Sequence, residues 1–158
     1  MRVVLQRVLE AAVAADGKEI GRIGRGILLF LGISKEDNPD TADKMMDKIC
    51  RLRIFEDEQG KTNLSLHDVG GEVLVVSQFT LYADCRKGNR PGFSFAGEPE
   101  KANVLYEYMV EGFKQRLGMV QSGCFGAEMK VSLINDGPFT LCLDSQELFA
   151  KKGTSADR

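Results

Sequence analysis

Glu72-Val73-Leu74-Val75-Val76-Ser77-Gln78-Phe79-Thr80-Leu81-Tyr82 opens on four consecutive aliphatic residues and then turns polar. A short apolar run without alternation predicts a strand buried on both faces, extending here from Glu72 to about Tyr82. Alternation along it puts Ser77 and Phe79 on one face and Gln78 and Thr80 on the other. Polar groups at the end of a buried strand need hydrogen-bond partners, from protein or from ligand. By pattern alone, this is either a strand surfacing into a loop or the floor of a site.

Working outward, Gly26 to Ile33 is a second apolar run bounded by glycine, a further strand buried on both faces. Val3 to Val13 reads as a strand, and Asp16-Gly17 as the turn of a hairpin whose second arm covers about Lys18 to Ile23. Asn38-Pro39 marks a helix start, and Ala42, Met45, Met46, Ile49 and Leu52 form its buried stripe. Asp57-Glu58-Gln59-Gly60 is a polar turn. Downstream, Glu98-Pro99 opens a second helix with the stripe Ala102, Leu105, Tyr106, Met109, Val110, Phe113 and Leu117, closed by Gly118. Strands follow near Met119 to Gly123, Ala127 to Asn135 and Phe139 to Leu143. The order strands, helix, strand, helix, strands predicts an α+β fold: a compact, barrel-like, mostly antiparallel sheet carrying two main helices. A doubly wound nucleotide fold would need Gly-x-Gly-x-x-Gly after its first strand, which is missing. We read one domain over 1–150 and a polar, fraying tail over 151–158.

Composition narrows the function. The 158 residues are 43% hydrophobic and 28% charged, ordinary proportions for a globular domain. No run of about 18 apolar residues occurs, so no membrane span is expected, and charges at Arg2 and Arg7 interrupt any leader-like core. The expected location is cytoplasmic. With 21 basic against 23 acidic residues the net charge is -2, unlike a protein that coats DNA or RNA, so any RNA contact must be local. Cys50, Cys85, Cys124 and Cys142 are scattered and there is a single His, which argues against a zinc centre. The thiols are read as buried and free. Neither a metal nor an organic cofactor is expected.

Two further segments carry chemical signals. Asn135-Asp136-Gly137-Pro138-Phe139-Thr140 has the composition of a turn joining two strands. Arg86-Lys87-Gly88-Asn89-Arg90-Pro91-Gly92-Phe93-Ser94-Phe95 combines three cations with two aromatic rings; cations neutralise phosphates and rings stack on unpaired bases. The alternative is a solvated loop with Phe93 and Phe95 folded into the core. His67-Asp68 suggests a triad with Ser77, but His67 lies in a loop and Gly-x-Ser-x-Gly is absent, so a histidine base is not favoured.

Taken together, Ser77-Gln78-Phe79-Thr80 and Asn135-Asp136-Gly137-Pro138-Phe139-Thr140 resemble the Ser-Gln-Phe-Thr and Asn-x-Gly-Pro-(Val/Phe)-Thr motifs of the D-aminoacyl-tRNA deacylase family. The likeness extends to the opening Met1-Arg2-Val3-Val4-Leu5-Gln6-Arg7-Val8, to the stretch 90–95 and to overall length. It implies a cytoplasmic two-fold homodimer acting on the aminoacylated end of tRNA. It also implies a cis Gly137-Pro138 bond whose loop enters the partner's site, facing Ser77, Gln78, Phe79 and Thr80 there. Arg86, Lys87 and Arg90 would then suit the acceptor-end phosphates. Two carbonyl oxygens of such a turn could hold the substrate's α-ammonium. With that group and the ester carbonyl both fixed, a D side chain points outwards while an L side chain strikes the turn. Glycine, with no side chain, would not be excluded. Backbone N–H groups near Phe79 and Thr80 could stabilise the oxyanion, with water, Thr80 or the ribose 2′-hydroxyl leading the attack. The rival readings are an RNA-binding module without catalysis, a serine esterase using Ser77 and His67, and a purely structural dimer.

Overall fold

A computed structural model describes residues 1–150; the tail 151–158, read above as fraying, lies outside the described residues. Strand β1 (Arg2–Ala15) is the hub. One edge of its first half pairs antiparallel with β3 (Gly26–Gly32), from Arg2↔Gly32 to Val8↔Gly26. Its second half pairs with β2 (Lys18–Ile23) across the turn at Asp16 and Gly17, both at positive φ. The other edge is covered along nearly its whole length by β8 (Met129–Asp144). β6 (Glu72–Ser77) lies parallel to β3, and β7 (Val120–Ser122) parallel to β6.

The sheet is therefore mixed. Its parallel pairs arise because each connection carries a helix across the same face: α1 (Pro39–Arg51) between β3 and β6, α2 (Pro99–Leu117) between β6 and β7. Each helix starts with Pro at its first turn, and the Asn38 side chain caps α1 by accepting from Thr41 N–H at 3.0 Å. The result is α+β, a nearly closed, barrel-like sheet with three α-helices among the described residues, the last being the single turn α3 (Ser145–Leu148). Among the described residues no helix is long and apolar enough to cross a membrane.

Two cores explain why β3 and β6 are apolar on both faces. Leu5, Ile27, Leu29, Val73 and Val75 pack under the helix residues Met45, Met46, Ile49, Tyr106, Met109 and Phe113. On the other face, Val8, Val13, Ile23, Leu28, Leu74 and Val76 fill the inside of the curl. Each such side chain contributes about 1.5–3 kcal/mol by leaving water.

Three readings are corrected and one, the polar turn at 57–60, is extended. The strand from Glu72 stops at Ser77 rather than Tyr82, and Phe79–Tyr82 is a turn of 3-10 helix. That turn packs closely over Gly32, where even a Cβ would lie 2.9 Å from that of Leu81. Second, 135–138 is no hairpin turn: β8 is one strand that bulges and rejoins the same edge of β1. Third, the turn at 57–60 joins a separate hairpin, β4 (Arg53–Glu56) with β5 (Thr62–Ser65). Fourth, the cysteines are free but not buried. Cys85, Cys124 and Cys142 are exposed, the last because alternation on β8 turns it away from Leu141 and Leu143. Cys50 is half-buried, which pushes its thiol up to about 11.

Candidate active site

Gln78 makes the last bond of the β6 edge, its N–H donating to Leu31 O at 2.8 Å. The next two residues begin a 3-10 helix, and the leading N–H groups of any helix have no partner within it. Among the described residues nothing accepts from the backbone N–H of Phe79 or Thr80. Both residues are exposed. The Gln78 side-chain amide donates to the Thr80 hydroxyl, and no carboxylate, imidazole or amine among the described residues bonds that hydroxyl. Thr80 thus has no neighbouring base to activate it.

Beside this segment lies a cavity of about 350 Å³ with a mainly apolar lining; Ser77, Gln78, Phe79, Phe93, Ala102 and Phe125 are among the residues around it. The Phe79 and Phe93 rings meet edge to face at 5.0 Å. Phe93 and Phe95 are exposed rather than folded into the core, so the aromatic half of the 86–95 segment is available to a ligand. Ser77, Gln78 and Phe79 are brought together at this cavity. Gly137 and Pro138 are not; within one chain no hydrogen bond or shared cavity joins them to the strand end.

Gly137 and Pro138 form an exposed elbow where β8 bulges off β1, and their peptide bond is cis. Between the pairs Gln6↔Thr140 and Val8↔Asn135, the four residues 136–139 face one residue of β1, Arg7. Arg7 is only 4% exposed and spends its guanidinium on this bulge. Nε donates to Asp136 O at 3.2 Å and pairs with the Asp136 carboxylate at 3.0 Å; Nη2 donates to Gly137 O at 3.2 Å. Nη1 anchors the group to Ile54 O at 2.6 Å, and the cation lies over the Phe139 ring at 4.7 Å. The Asn135 amide closes the bulge by donating to Arg7 O and Phe139 O. Gly137 O keeps a lone pair for a further donor. Arg7 was missed as a site residue. Its signal was available: Val3, Leu5 and Arg7 alternate inward on β1, and a charge on an inward face must have partners.

The basic segment is a tight loop closed by Asp84 N–H to Gly92 O at 2.7 Å and Gly92 N–H to Asp84 O at 2.9 Å. Lys87 and Arg90 project at its tip. Arg86 differs from them: its Nε and Nη2 bond the two Asp84 oxygens at 2.8 and 2.7 Å. These bonds hold the Asp84 carboxyl well below the ordinary range, at about 2. His67 is exposed in the turn before β6, where Asp68 accepts from Ser65, and among the described residues no hydrogen bond joins His67 to Ser77. The triad is not assembled. Among the described residues no cluster of metal-binding side chains occurs.

Comparison with known proteins shows the family and the fold. A family profile described as D-Tyr-tRNA(Tyr) deacylase matches residues 4–144. A D-aminoacyl-tRNA deacylase of Caldicellulosiruptor bescii is 56% identical over 149 residues, covering 94% of this chain and all of that protein. A solved structure titled c-Myc DNA Unwinding Element Binding Protein shares 44% identity at a TM-score of 0.86, covering 91% of this chain and 98% of its own. Another, titled a probable eukaryotic D-amino acid tRNA deacylase, is 18% identical at a TM-score of 0.77 and covers 90% of this chain and 97% of its own, a likeness of fold.

Proposed function

The chain belongs to the D-Tyr-tRNA(Tyr) deacylase family and is a hydrolase of the D-aminoacyl-tRNA ester bond; from that premise we propose how its residues divide the work. Residues 1–150 act as one catalytic domain in a cytoplasmic homodimer. The elbow of each protomer, Gly137 and Pro138, stands over the partner's Ser77, Gln78, Phe79 and Thr80. Each dimer then holds two equivalent composite sites.

The observation that carries this reading is the pair of unpartnered N–H groups at Phe79 and Thr80, next to an apolar cavity. The terminal nucleoside of the tRNA enters the cavity beside Phe79 and Phe93. Its ester carbonyl then lies against those two donors, which stabilise the tetrahedral oxyanion by about 3–4 kcal/mol each. Water attacks the carbonyl carbon, the ester C–O bond breaks, and the amino acid leaves with the tRNA 3′ hydroxyl restored. Gln78 orients the Thr80 hydroxyl, which positions rather than attacks.

Carbonyl oxygens of the partner's elbow receive the α-ammonium. Arg7 holds the elbow from behind, so the turn does not yield to an L side chain, and selection works by steric exclusion. Glycine esters pass the same gate. Arg86, Lys87 and Arg90 line the approach of the acceptor end. The reading is tested by release of amino acid from matched D- and L-aminoacyl-tRNA: the D ester is cleaved, the L ester survives. Equal rates would remove the gate, and binding of charged tRNA without release would reduce the protein to an RNA-binding module.

A further inference from the structure

A second groove of about 790 Å³ lies across the 93–96 stretch from the catalytic cavity, lined by Arg2, Lys35, Tyr82, Asp84, Arg86 and Phe95 among others. The stretch is a ridge between the two. Phe93 and Ala96 line the cavity, Ser94 and Phe95 line the groove, and Lys35 lines both.

The groove contains two ready-made cation–aromatic stacks. Arg86 lies over the Phe95 ring at 5.6 Å, and Arg2 over the Tyr82 ring at 4.8 Å. In both, two of the five N–H donors of the guanidinium are already committed. Asp84 holds two nitrogens of Arg86, while Arg2 donates to Asp144 at 3.1 Å and to Leu81 O at 3.0 Å. Their outer surfaces are open, the side chains being 75% and 47% exposed. A phosphate is bound by guanidinium edges, whereas a nucleobase stacks on guanidinium faces. The carboxylates of Glu36 and Asp84 in the same groove further disfavour a bare anion. Lys35 differs, since its contact with Glu98 is long at 3.9 Å and exposed on both sides, so the ammonium is free to turn.

We propose that this groove receives the unpaired nucleotide preceding the terminal nucleoside. Its base stacks on the Arg86–Phe95 platform, and its linking phosphate crosses the ridge at Lys35. The proposal rests on the placement of the terminal nucleoside in the cavity. It also reassigns Arg86, among the three cations of the loop, from phosphate contact to base stacking.

The test compares kcat/KM on D-aminoacyl-tRNA with kcat/KM on D-aminoacyl-adenosine, which has no preceding nucleotide. Phe95→Ala lowers the ratio of the two about tenfold, the scale of one lost base stack. Arg86→Lys, which keeps the charge and loses the plane, lowers it similarly. A ratio unchanged in both variants overturns the proposal, as does an Arg86→Lys variant that keeps the wild-type ratio while Arg86→Ala loses it. Should wild-type protein cleave neither substrate, the functional reading falls separately and binding judges the groove. By fluorescence anisotropy, a labelled single-stranded RNA ending in cytidine-cytidine-adenosine binds about tenfold tighter than one whose penultimate base is removed. Equal affinities overturn the proposal.

Discussion

Ser77 to Thr80 leave the sheet after Gln78 makes its bond to Leu31, and the turn that follows is closed by its own backbone, Leu81 N–H donating to Gln78 O. Asp136 to Phe139 leave the sheet as well, yet their shape is set by Arg7, 129 residues away in the chain. The strand end needs only backbone N–H groups, which a short helix exposes by construction. The elbow must stay stiff while projecting into solvent, and an exposed bulge has no packing of its own to stiffen it. A buried guanidinium supplies that stiffness through several bonds at once. On the proposed division of work, the catalytic donors come from a short helical turn, while the gate relies on a long-range brace.

The sharpest way to break this contrast is Arg7→Ala. It strips Asp136 O, Gly137 O and the buried Ile54 O of their donor, so stability falls by roughly 3 kcal/mol in chemical denaturation and deacylation collapses. Unchanged turnover would show that the elbow needs no brace. Gly137→Ala separates gate from scaffold, because a Cβ at Gly137 meets nothing within 4 Å in the chain. Unfolding should shift by no more than about 0.5 kcal/mol. Turnover of the D ester should drop about a hundredfold, since the added methyl displaces the substrate.

Smaller effects sharpen the account of the RNA approach. Lys87→Ala with Arg90→Ala should make the salt dependence of tRNA binding shallower, with a log–log slope reduced by roughly one to two; an identical slope would remove those residues from the interface. The Asp84–Arg86 clamp has a pH signature. Its carboxyl is depressed from 3.8 to about 2, so the clamp's contribution is present above 3.8 and is lost as pH falls through about 2. A carboxyl NMR titration of Asp84 with a midpoint near 3.8 would mean that the clamp does not form in solution. Last, His67→Ala should leave kcat within about twofold, because a group outside the chemistry contributes no general-base catalysis.

Much of this was legible in the residues. The double-faced apolar runs at 26–33 and 73–76 announced strands buried on both sides, and the two cores show why. The Asn38 cap placed the start of α1 to the residue, and the Met45–Met46 stripe marked its buried face. Three features were hidden because they depend on contacts between distant parts of the chain. The strand from Glu72 ends at Ser77, and the 3-10 turn after it packs over Gly32 of a neighbouring strand. The composition of 135–138 is that of a hairpin, and only Arg7 and Asn135 show why the chain bulges and carries on. Cys142 is exposed because of its face on β8, which composition cannot register.

Mixing two defective proteins tests the composite site most directly. Phe79→Pro removes one free donor at a first helical position, where proline is tolerated; Gly137→Ala spoils the elbow. Each homodimer alone should be nearly inactive. Refolded together in equal amounts, half of the dimers are mixed, and each mixed dimer pairs one sound strand end with the other chain's sound elbow. Activity should therefore return to about a quarter of wild type. Mixed dimers that form, as verified by two affinity tags, yet stay at background would contradict an active site shared between subunits.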